Sequence, residues 1–421
     1  MPDGWKEQFL SELCERITDG SHFSPPSLDE GIPIATVANM GSRSIELNRC
    51  ALISEKDFAL LERNGCRPRA GDVLFSKDGS VGKVLVMQDS PRLVLLSSIA
   101  ILTPKCNELE SFFLGQYLKW PRVLRRLHGM RTGTAIKRVV LRDLRKLPLS
   151  VPPVSEQRKI AAILSSVDDA IARTQAVIDQ VQVVKRGLMQ ELLTRGLPGR
   201  HTRYKQTEIG SIPMEWEVVR LGDIAAVRGG KRMPKGRPFA DSVTPYPYIR
   251  VCDFKNGSVD TSQIEYVLPE DREKIRRYTI SQDDLYISIA GTLGIVGTVP
   301  PSLDGAQLTE NAAKIVLEDR GQANRDFLKI AMNAKESQAQ LERLRGVGGG
   351  VPKLALFRIE EILLPLPCIR EQRDIVGAVH RMDEYHLTLE AKLDAAKEVR
   401  RGLMAVLLTG ELRVTPDIET A

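Results

Sequence analysis

The sequence predicts an α+β protein in which two similar globular α/β domains are separated by two long helices. These helices are expected to form an antiparallel coiled coil, which makes the chain a pseudo-two-fold internal repeat. One observation is that residues 155–194 and 370–409 share fifteen identities over forty positions without a gap. A second is the heptad pattern of both copies. A third is that matched residues also precede each copy, so the repeat includes whole domains.

Each copy of the repeated segment reads as one long helix. Apolar residues recur in alternating steps of four and three, which is the spacing of a coiled-coil seam. A basic residue, Lys185 or Arg400, takes the same slot in each copy. The alternative is two unrelated amphipathic helices on separate cores, and the gapless identity argues against it. The predicted seam consists of Ile160, Leu164, Val167, Ile171, Ile178, Leu188 and Leu192 in the first copy and of Ile375, Val379, Met382, Leu389, Leu393, Leu403 and Leu407 in the second.

The rest of the chain repeats at an offset that grows slowly along it. Trp5 matches Trp216 at an offset of 211, whereas Glu156 matches Glu371 at 215. A slowly growing offset indicates one domain type present twice, with a few residues inserted in loops. We therefore predict globular domains at 1–153 and 214–368, spacer helices at 154–195 and 369–410, a linker at 196–213 and a tail at 411–421.

Each globular domain is expected to combine short strands, tight turns and one helix ahead of a basic, glycine-containing loop. In the first domain, Pro121 should stop or kink the helix, and in the second the loop contains a run of glycines at 346–350. The predicted strands are 32–40, 73–76, 83–87, 93–102 and 144–151, then 246–254, 285–289 and 295–299; the predicted helices are 109–118 and 325–344, and the loop of the first domain is 129–137.

Composition narrows the class of protein. The N-terminus has no apolar signal core, and the longest apolar run, 93–102, is too short to cross a bilayer. Six scattered cysteines lack metal-binding spacing, which predicts no zinc site and a cytoplasmic location. Basic residues concentrate at 119–146 and 228–237, as expected for a polyanion partner, although most such runs are solvated surface. An aromatic content of 5% is low for single-strand binders and favours duplex nucleic acid.

The sequence contains no catalytic motif that we would defend. Gly82-Lys83 is followed by Val84 and lacks the upstream glycine of a phosphate-binding loop. Glu390-Ala391-Lys392 has the form of half a nuclease motif, but it lies within a predicted spacer helix, where a solvent-facing pair is the simpler explanation. No catalytic residue or metal ligand is assigned, and the chain is predicted to be a binding protein rather than an enzyme.

Several short motifs occur in the same order in both halves. The first half has them at 17–22, 71–76, 79–82, 133–134 and 147–158, and the second at 284–288, 291–294 and 364–373. In this order, and with two long helices, they resemble the DNA-specificity subunits of Type I restriction–modification enzymes over nearly the whole chain. The second half departs from the pattern at its start, where residues 228–231 read Arg-Gly-Gly-Lys.

The resemblance implies a role for each part of the chain. Each globular domain would be a target recognition domain that reads one half of a bipartite duplex sequence. The helices would space the domains and bind two DNA adenine methyltransferase (modification) subunits, and restriction/translocase subunits would join that core. The chain itself would bind no cofactor, because S-adenosylmethionine and ATP would be used by those partners.

The physical reading agrees with this role. Two readers on one face of B-DNA favour half-site centres about one turn apart, roughly 34–36 Å. Half-sites of about 3–5 bp then leave a non-specific gap of roughly 5–8 bp, and two different domain sequences predict an asymmetric target. Glycine loops let the backbone approach phosphates, and Lys or Arg neutralise them. The predicted DNA-binding residues are Ser21, His22, Lys77, Ser80, Thr134, Lys137, Arg138, Lys231, Arg232, Lys235, Arg250, Thr292 and Lys353.

Two other functions are possible. A single-chain nuclease or methyltransferase with duplicated recognition modules would need a catalytic motif that the sequence lacks. A structural adaptor whose helices recruit proteins without reading sequence would leave both basic, glycine-rich loop sets unexplained.

Overall fold

The computed structural model describes residues 2–41, 43–129, 138–344 and 353–415. These residues divide into two compact units: unit 1 is residues 1–176 with 391–421, and unit 2 is residues 177–390. Unit 1 is therefore discontinuous in sequence. The fold class predicted from the sequence is confirmed, whereas the division into domains at 153, 213 and 368 stays a prediction.

The elements of unit 1 follow the chain from the N-terminus. Its strands are β1 Lys6–Phe9, β2 Cys14–Asp19, β3 Ile32–Ala35, β4 Ala51–Ile53, β5 Val73–Ser76, β6 Val84–Val86, β7 Val94–Leu95, β8 Ile99–Pro104 and β9 Pro148–Val151. Its helices are α1 Leu10–Leu13, α2 Glu55–Arg63, α3 Ser111–Lys119, α4 Pro121–Gly129 and α5 Leu141–Arg145. The long helix α6, Val154–Arg195, begins in this unit and continues into unit 2.

Unit 2 repeats this plan with additions. Its strands are β10 Tyr204–Thr207, β11 Gly210–Pro213, β12 Glu217–Arg220, β13 Ala225–Gly229, β14 Pro247–Ile249, β15 Phe254–Lys255, β16 Ser258–Val259, β17 Glu265–Tyr266, β18 Thr279–Ile280, β19 Leu285–Ser288, β20 Val296–Thr298, β21 Ala306–Leu308, β22 Ala312–Leu317 and β23 Leu363–Leu366. Its helices are α7 Pro269–Ile275, α8 Arg325–Met332, α9 Lys335–Arg343 and α10 Leu356–Glu360, and the long helix α11, Ile369–Leu407, begins in this unit and continues into unit 1.

Each unit is built around a four-stranded antiparallel sheet. The strand order is β2-β8-β5-β6 in unit 1 and β13-β22-β19-β20 in unit 2. In β5, Val73 and Phe75 face the cluster that contains α3, whereas Leu74 faces a second cluster beneath β3 and β7. A strand buried on both faces reads as an unbroken apolar run instead of an alternating one. In unit 2, β19 is buried in the same way, with Tyr286 on the second face.

A second sheet accompanies this one in each unit, with three strands in unit 1 and four short strands in unit 2. It has the order β4-β3-β7 in unit 1, with β3 and β7 parallel, and β17-β14-β21-β18 in unit 2, with β14 and β21 parallel. A two-stranded ribbon then pairs an early strand of each repeat, β1 or β12, with the strand that precedes a long helix, β9 or β23.

The long helices contribute to the core of each unit. In unit 1, Ile160 and Leu164 of α6 share a cluster with Met404 and Leu407 of α11. In unit 2, Leu192 of α6 lies with Ile375 and Val379 of α11. The first residues of one helix therefore pack on the last residues of the other, so the helix pair of each unit is antiparallel. The fourteen predicted seam residues are all buried or half-buried.

A glutamine clamps the start of each long helix. The Gln157 amide accepts a hydrogen bond from the Glu110 backbone and donates to the carbonyls of Glu108 and Pro152. Gln372 makes the equivalent three bonds to the backbone of Asn324, Gln322 and Pro367. Both side chains are fully buried. Because the matched motif buries its glutamines on backbone groups, it fixes where each helix leaves its domain.

Several strand predictions were too long. The predicted strand 32–40 ends at Ala35, because Thr36 caps a 3-10 turn, Val37–Asn39. The predicted strand 93–102 is divided between β7 and β8, because residues 96–98 form hydrogen bonds to Ala35, Ser21 and Lys77 instead. The strand predicted at 246–254 is likewise interrupted by the 3-10 turn Val251–Asp253, and the first part of 144–151 belongs to α5 and the turn after it.

One helix prediction was wrong, and two other segments contain elements that were not predicted. The helix predicted at 325–344 is divided into α8 and α9 because the Asn333 side chain bonds to the carbonyls of Val296 and Lys329. Pro121 follows the end of α3, as predicted, but it is also the first residue of α4, a position that lacks an intrahelical N–H partner in any case. The predicted linker contains a β-hairpin, β10 paired with β11. No helix within the described ranges is both long and apolar enough to span a membrane.

Candidate nucleic-acid interface

Four segments of unit 1 meet at one end of its four-stranded sheet. The Gly20 N–H donates to the Ile99 carbonyl and the Ser21 N–H to the Leu95 carbonyl. The Lys77 N–H donates to Ser98, and the Lys77 carbonyl accepts from the Val139 N–H. The loop after β2, the turn after β5, the link between β7 and β8 and the segment ahead of α5 therefore form one surface, which we call the unit-1 edge.

Gly20 is required at this edge because the backbones approach closely. A Cβ atom placed on it would lie 2.2 Å from the Leu95 carbonyl oxygen. Gly230 has the same surroundings in unit 2, where a Cβ would lie 2.1 Å from the Thr309 carbonyl oxygen. The glycines of the two loops therefore serve packing inside each domain.

A buried ion pair holds the unit-1 edge together. The Lys77 ammonium lies 3.0 Å from an Asp19 carboxylate oxygen and 3.7 Å from Asp78, and the Lys77 side chain is only 6% exposed. Its charge is thus neutralised inside the domain, which is a positioning role rather than that of an exposed phosphate contact. His22 is 73% exposed and lies 3.5 Å from the same Asp19 carboxylate.

The other residues predicted for the first domain fall into three groups. Ser21 is buried, and its hydroxyl donates to the Phe23 carbonyl and accepts from the Phe23 N–H, so it shapes the loop. Ser80 and Arg138 are exposed, and Arg138 directly precedes the Val139 that bonds to Lys77. Thr134 and Lys137 lie outside the described residues.

The same construction recurs in unit 2, where we call it the unit-2 edge. The Lys231 N–H donates to Leu308, and the N–H groups of Ile289 and Ala290 donate to the Asn311 carbonyl. Lys353 pairs with Ala290 as an isolated β-bridge. Lys231 and Lys353 are both exposed. Lys231 also lies with its ammonium 5.6 Å from the Tyr278 ring centre.

The remaining unit-2 candidates are a mixture of surface and internal groups. Arg232 is exposed and donates to the Glu310 carboxylate over 2.5 Å. Arg250 is paired with Asp253 and Glu265, and hydrogen bonds to Asp253 raise the pKa of its guanidinium above the usual value. This network makes Arg250 a brace between neighbouring segments. Lys235 and Thr292 are exposed.

The two edges differ at the position of the buried ion pair. Their backbone bonds align Asp19 and Lys77 of unit 1 with Gly229 and Ile289 of unit 2. A charged pair is thus replaced by a glycine and an apolar side chain. The exposed basic residue that precedes the last helix of each domain is retained, as Arg138 and Lys353. The edges therefore share their backbone frame but present different side chains.

The sequence analysis missed Asp19 and Glu310 as partners of its basic candidates. Asp19 lies two residues before Ser21 in the sequence, whereas Glu310 is distant from Arg232 along the chain, so only the fold reveals the second pairing. No group of three or more His, Cys, Asp or Glu side chains able to hold a metal ion occurs among the residues with described positions.

Comparison with known proteins gives a consistent result. The family model for the "Type I restriction modification DNA specificity domain" matches residues 2–183 and again 213–397. The putative type I restriction enzyme MjaX specificity subunit of Methanocaldococcus jannaschii is 25% identical, covering 98% of this chain and 95% of the relative. The type I restriction enzyme EcoBI specificity subunit of Escherichia coli is 24% identical, covering 97% and 86%.

Solved structures show the same fold. A chain from a structure of a type I R-M system, described for its complex assembly and conformational transition, has a TM-score of 0.61 at 15% identity, covering 98% of this chain and 99% of that one. The type I restriction–modification S subunit from M. genitalium has a TM-score of 0.54 at 15% identity, and 96% of each chain is covered.

Proposed function

This chain belongs to the family of Type I restriction–modification DNA specificity domains, and we propose that it is the non-catalytic, sequence-reading subunit of such a complex. Each domain reads one half of a bipartite double-stranded DNA target, and a fixed non-specific gap separates the halves. The observation that carries the proposal is the pair of edges, which have one backbone frame and different side chains.

The difference between the edges supports an asymmetric target. Bases are distinguished by a few side chains that reach the groove edges, whereas phosphate contacts set position without reading sequence. Arg138 and Lys353 are exposed at equivalent places, and we assign phosphate contacts to them. His22 and Arg232 are both exposed at equivalent positions and differ in chemistry, as do Ser80 and Thr292. Two unlike half-sites follow from these unlike pairs.

The long helices are proposed to recruit the partner subunits. Two methyltransferase subunits bind this chain, restriction/translocase subunits join them, and S-adenosylmethionine and ATP are used by those partners. Support comes from the outer face of α6, where Val177, Val183 and Val184 are 42%, 53% and 47% exposed. Exposed apolar residues that lie close together are typical of interaction surfaces.

Methylation mapping tests the proposal. Adenine methylation would be compared in cells that express the partner methyltransferase with and without this chain. We expect a new asymmetric motif, split by a constant gap, only when the chain is present. Replacing residues 1–150 by those of a relative should change one half of the motif and leave the other unchanged.

Two outcomes would count against the proposal. A methylation pattern that is independent of the chain would remove its reading role and favour an adaptor. A contiguous or palindromic motif would contradict the assignment of one half-site to each domain.

A further inference from the structure

A cavity of about 290 Å³ opens on the surface of unit 1, beside the ribbon of β1 and β9. Tyr117 and Trp120 form an aromatic wall, and Arg122 and Arg126 of α4 are at its rim. Thr409, just beyond the end of α11, closes the opposite side. We call it the aromatic–basic cavity. It shares no residue with either edge.

The internal repeat places an equivalent cavity in unit 2. Its lining includes Ala331 where unit 1 has Tyr117, Ala334 where it has Trp120, and Glu336 where it has Arg122. This second cavity is only about 20 Å³. The same site of the fold is thus open in one unit and closed in the other.

A β-hairpin closes the site in unit 2. Ile209 and Ile212, from the hairpin of β10 and β11, line that cavity, and Ile212 is only 1% exposed. The two alanines make room for these isoleucines. The site in unit 2 is therefore occupied by apolar side chains of this hairpin, which pack on the core cluster of unit 2.

The aromatic–basic cavity carries basic side chains, so its occupant should differ in charge from the apolar hairpin that fills the unit-2 site. The Arg122 guanidinium lies 5.6 Å from the Trp120 ring centre, and neither Arg122 nor Arg126 forms an ion pair with any residue whose position is described. Glu7 is the acid among its lining residues. Two arginines against one glutamate favour an acidic group, whereas Glu336 gives the unit-2 site the opposite charge.

The side chains that line the cavity favour a peptide over a small molecule. The volume of about 290 Å³ is at the lower limit of small-molecule sites, which usually enclose about 300–1,000 Å³. Tryptophan, tyrosine and arginine are the residue types most enriched among the energetic hot spots of protein–protein interfaces, and all three types line this cavity. A cavity for one or two inserted side chains fits both facts.

We propose that the aromatic–basic cavity is a docking site for an extended peptide segment of a partner protein. The segment inserts an apolar side chain against Trp120 and Val123 and places a carboxylate on Arg122 and Arg126. In unit 2 the hairpin of β10 and β11 supplies the apolar side chains that fill the equivalent site. In unit 1 a segment of the partner protein fills it.

The test uses the full-length chain and a synthetic peptide. The peptide has the sequence of residues 203–213, which form the chain's own hairpin, with the substitution K205E. This substitution adds a second acid near Glu208. Binding would be followed by tryptophan fluorescence, to which Trp120 responds because Trp5 and Trp216 are buried. We expect saturable binding that weakens about tenfold or more with R122E, since a paired charge becomes a repelling one. Trp120→Ala should weaken binding and abolish the fluorescence change.

A matched control lies on the same helix. Arg125 is exposed on α4 but does not line the cavity, so R125E makes the same charge change and should leave affinity unchanged. No saturable binding at millimolar peptide, or equal loss with R122E and R125E, would overturn the proposal. Displacement of the peptide by adenosine monophosphate would assign the cavity to a small molecule. Tight binding only to a chain that ends at Thr415 would assign it to residues 416–421.

Discussion

Asp168 of α6 accepts a hydrogen bond from the guanidinium of Arg400 of α11, across the helix pair of unit 1. Gln116 of α3 bonds to both side chains, which ties the pair to the domain. In unit 2, Lys185 and Asp383 form the equivalent pair, since an offset of 215 relates Asp168 to Asp383 and Lys185 to Arg400. The basic residue in each seam is thus matched by an acid of the other helix.

We expect Arg400→Ala to destabilise the protein by about 1–3 kcal/mol, because Asp168 and Gln116 lose a charged partner in a part-buried site. Lys185→Ala should cost no more than about 1 kcal/mol, because its pair is more exposed to water. Urea unfolding of both variants, with the corresponding aspartate-to-alanine changes to complete two mutant cycles, would measure the difference. Equal costs at the two sites would contradict the role assigned to Gln116.

Replacement of the buried glutamines should be more damaging than replacement of their neighbours. Gln157→Ala removes the partners of three backbone groups, and each unsatisfied buried group costs about 1–3 kcal/mol. Gln372→Ala should behave alike. Arg158→Ala is the matched control, because Arg158 is exposed in the same triplet. Thermal unfolding measures the stabilities of these variants. If Arg158→Ala were as unstable as Gln157→Ala, the hydrogen bonds of Gln157 would not hold the start of α6.

The long helices and the repeat were predictable because both depend on local spacing and on comparison of the chain with itself. The interhelical partners Asp168 and Asp383 were not, since pairing across a helix pair depends on a register that no single helix contains. The predicted ends of strands and helices were wrong for a similar reason. Thr36 and Asn333 end elements through side-chain hydrogen bonds, and such bonds do not alter the apolar pattern.

The buried and exposed cations of the unit-1 edge should affect DNA binding differently. Lys77→Met should weaken binding of the cognate duplex and leave the salt dependence unchanged, because Lys77 positions the loop through Asp19. Arg138→Ala should lower the slope of log K against log salt by about 0.9, the value for one phosphate contact. Titrations with cognate and unrelated duplexes at several salt concentrations would separate the two effects. If Lys77→Met also lowered the slope of log K against log salt, Lys77 would be a phosphate contact and not a positioning residue.

Substitution of two glycines by alanine should change the stability of the protein in opposite directions, because their surroundings differ. Gly20→Ala should destabilise unit 1 by about 1–3 kcal/mol, because its new Cβ meets a backbone carbonyl that cannot rotate away. Gly187→Ala should stabilise the isolated chain by about 0.5–1 kcal/mol, because Gly187 is exposed within α6 and no atom lies within 4 Å of the added Cβ. Melting temperatures of the two variants would show shifts of opposite sign.

The six cysteines should differ in reactivity. Burial raises the pKa of the Cys14 thiol to about 12, so almost none of it is thiolate at pH 8. Cys106, Cys252 and Cys368 are exposed. Mass spectrometry after mild alkylation should find Cys106 and Cys368 modified first and Cys14 last, with all six modified in urea. Early modification of Cys14 would contradict its burial in β2, against the cluster that contains α3.

The candidate interface was only partly predictable. Glycine and basic residues in matched loops predicted a shared surface, and the backbone bonds bring Ser21, Lys77 and Arg138 into one region. The sequence could not separate Lys77, which is buried on Asp19, from Arg138, which is exposed. That distinction depends on which acids the fold brings beside each cation.

The discontinuity of unit 1 has a consequence for synthesis of the chain on the ribosome. Unit 2 is one continuous stretch and can close as soon as it emerges, whereas Ile160 and Leu164 must await Met404 and Leu407. At about 5–20 residues per second, the interval between these segments is about ten to fifty seconds. Throughout it, Ile160 and Leu164 lack the part of their packing that Met404 and Leu407 supply. The core of unit 1 is therefore completed only when the ribosome has made α11, long after the rest of that core has emerged.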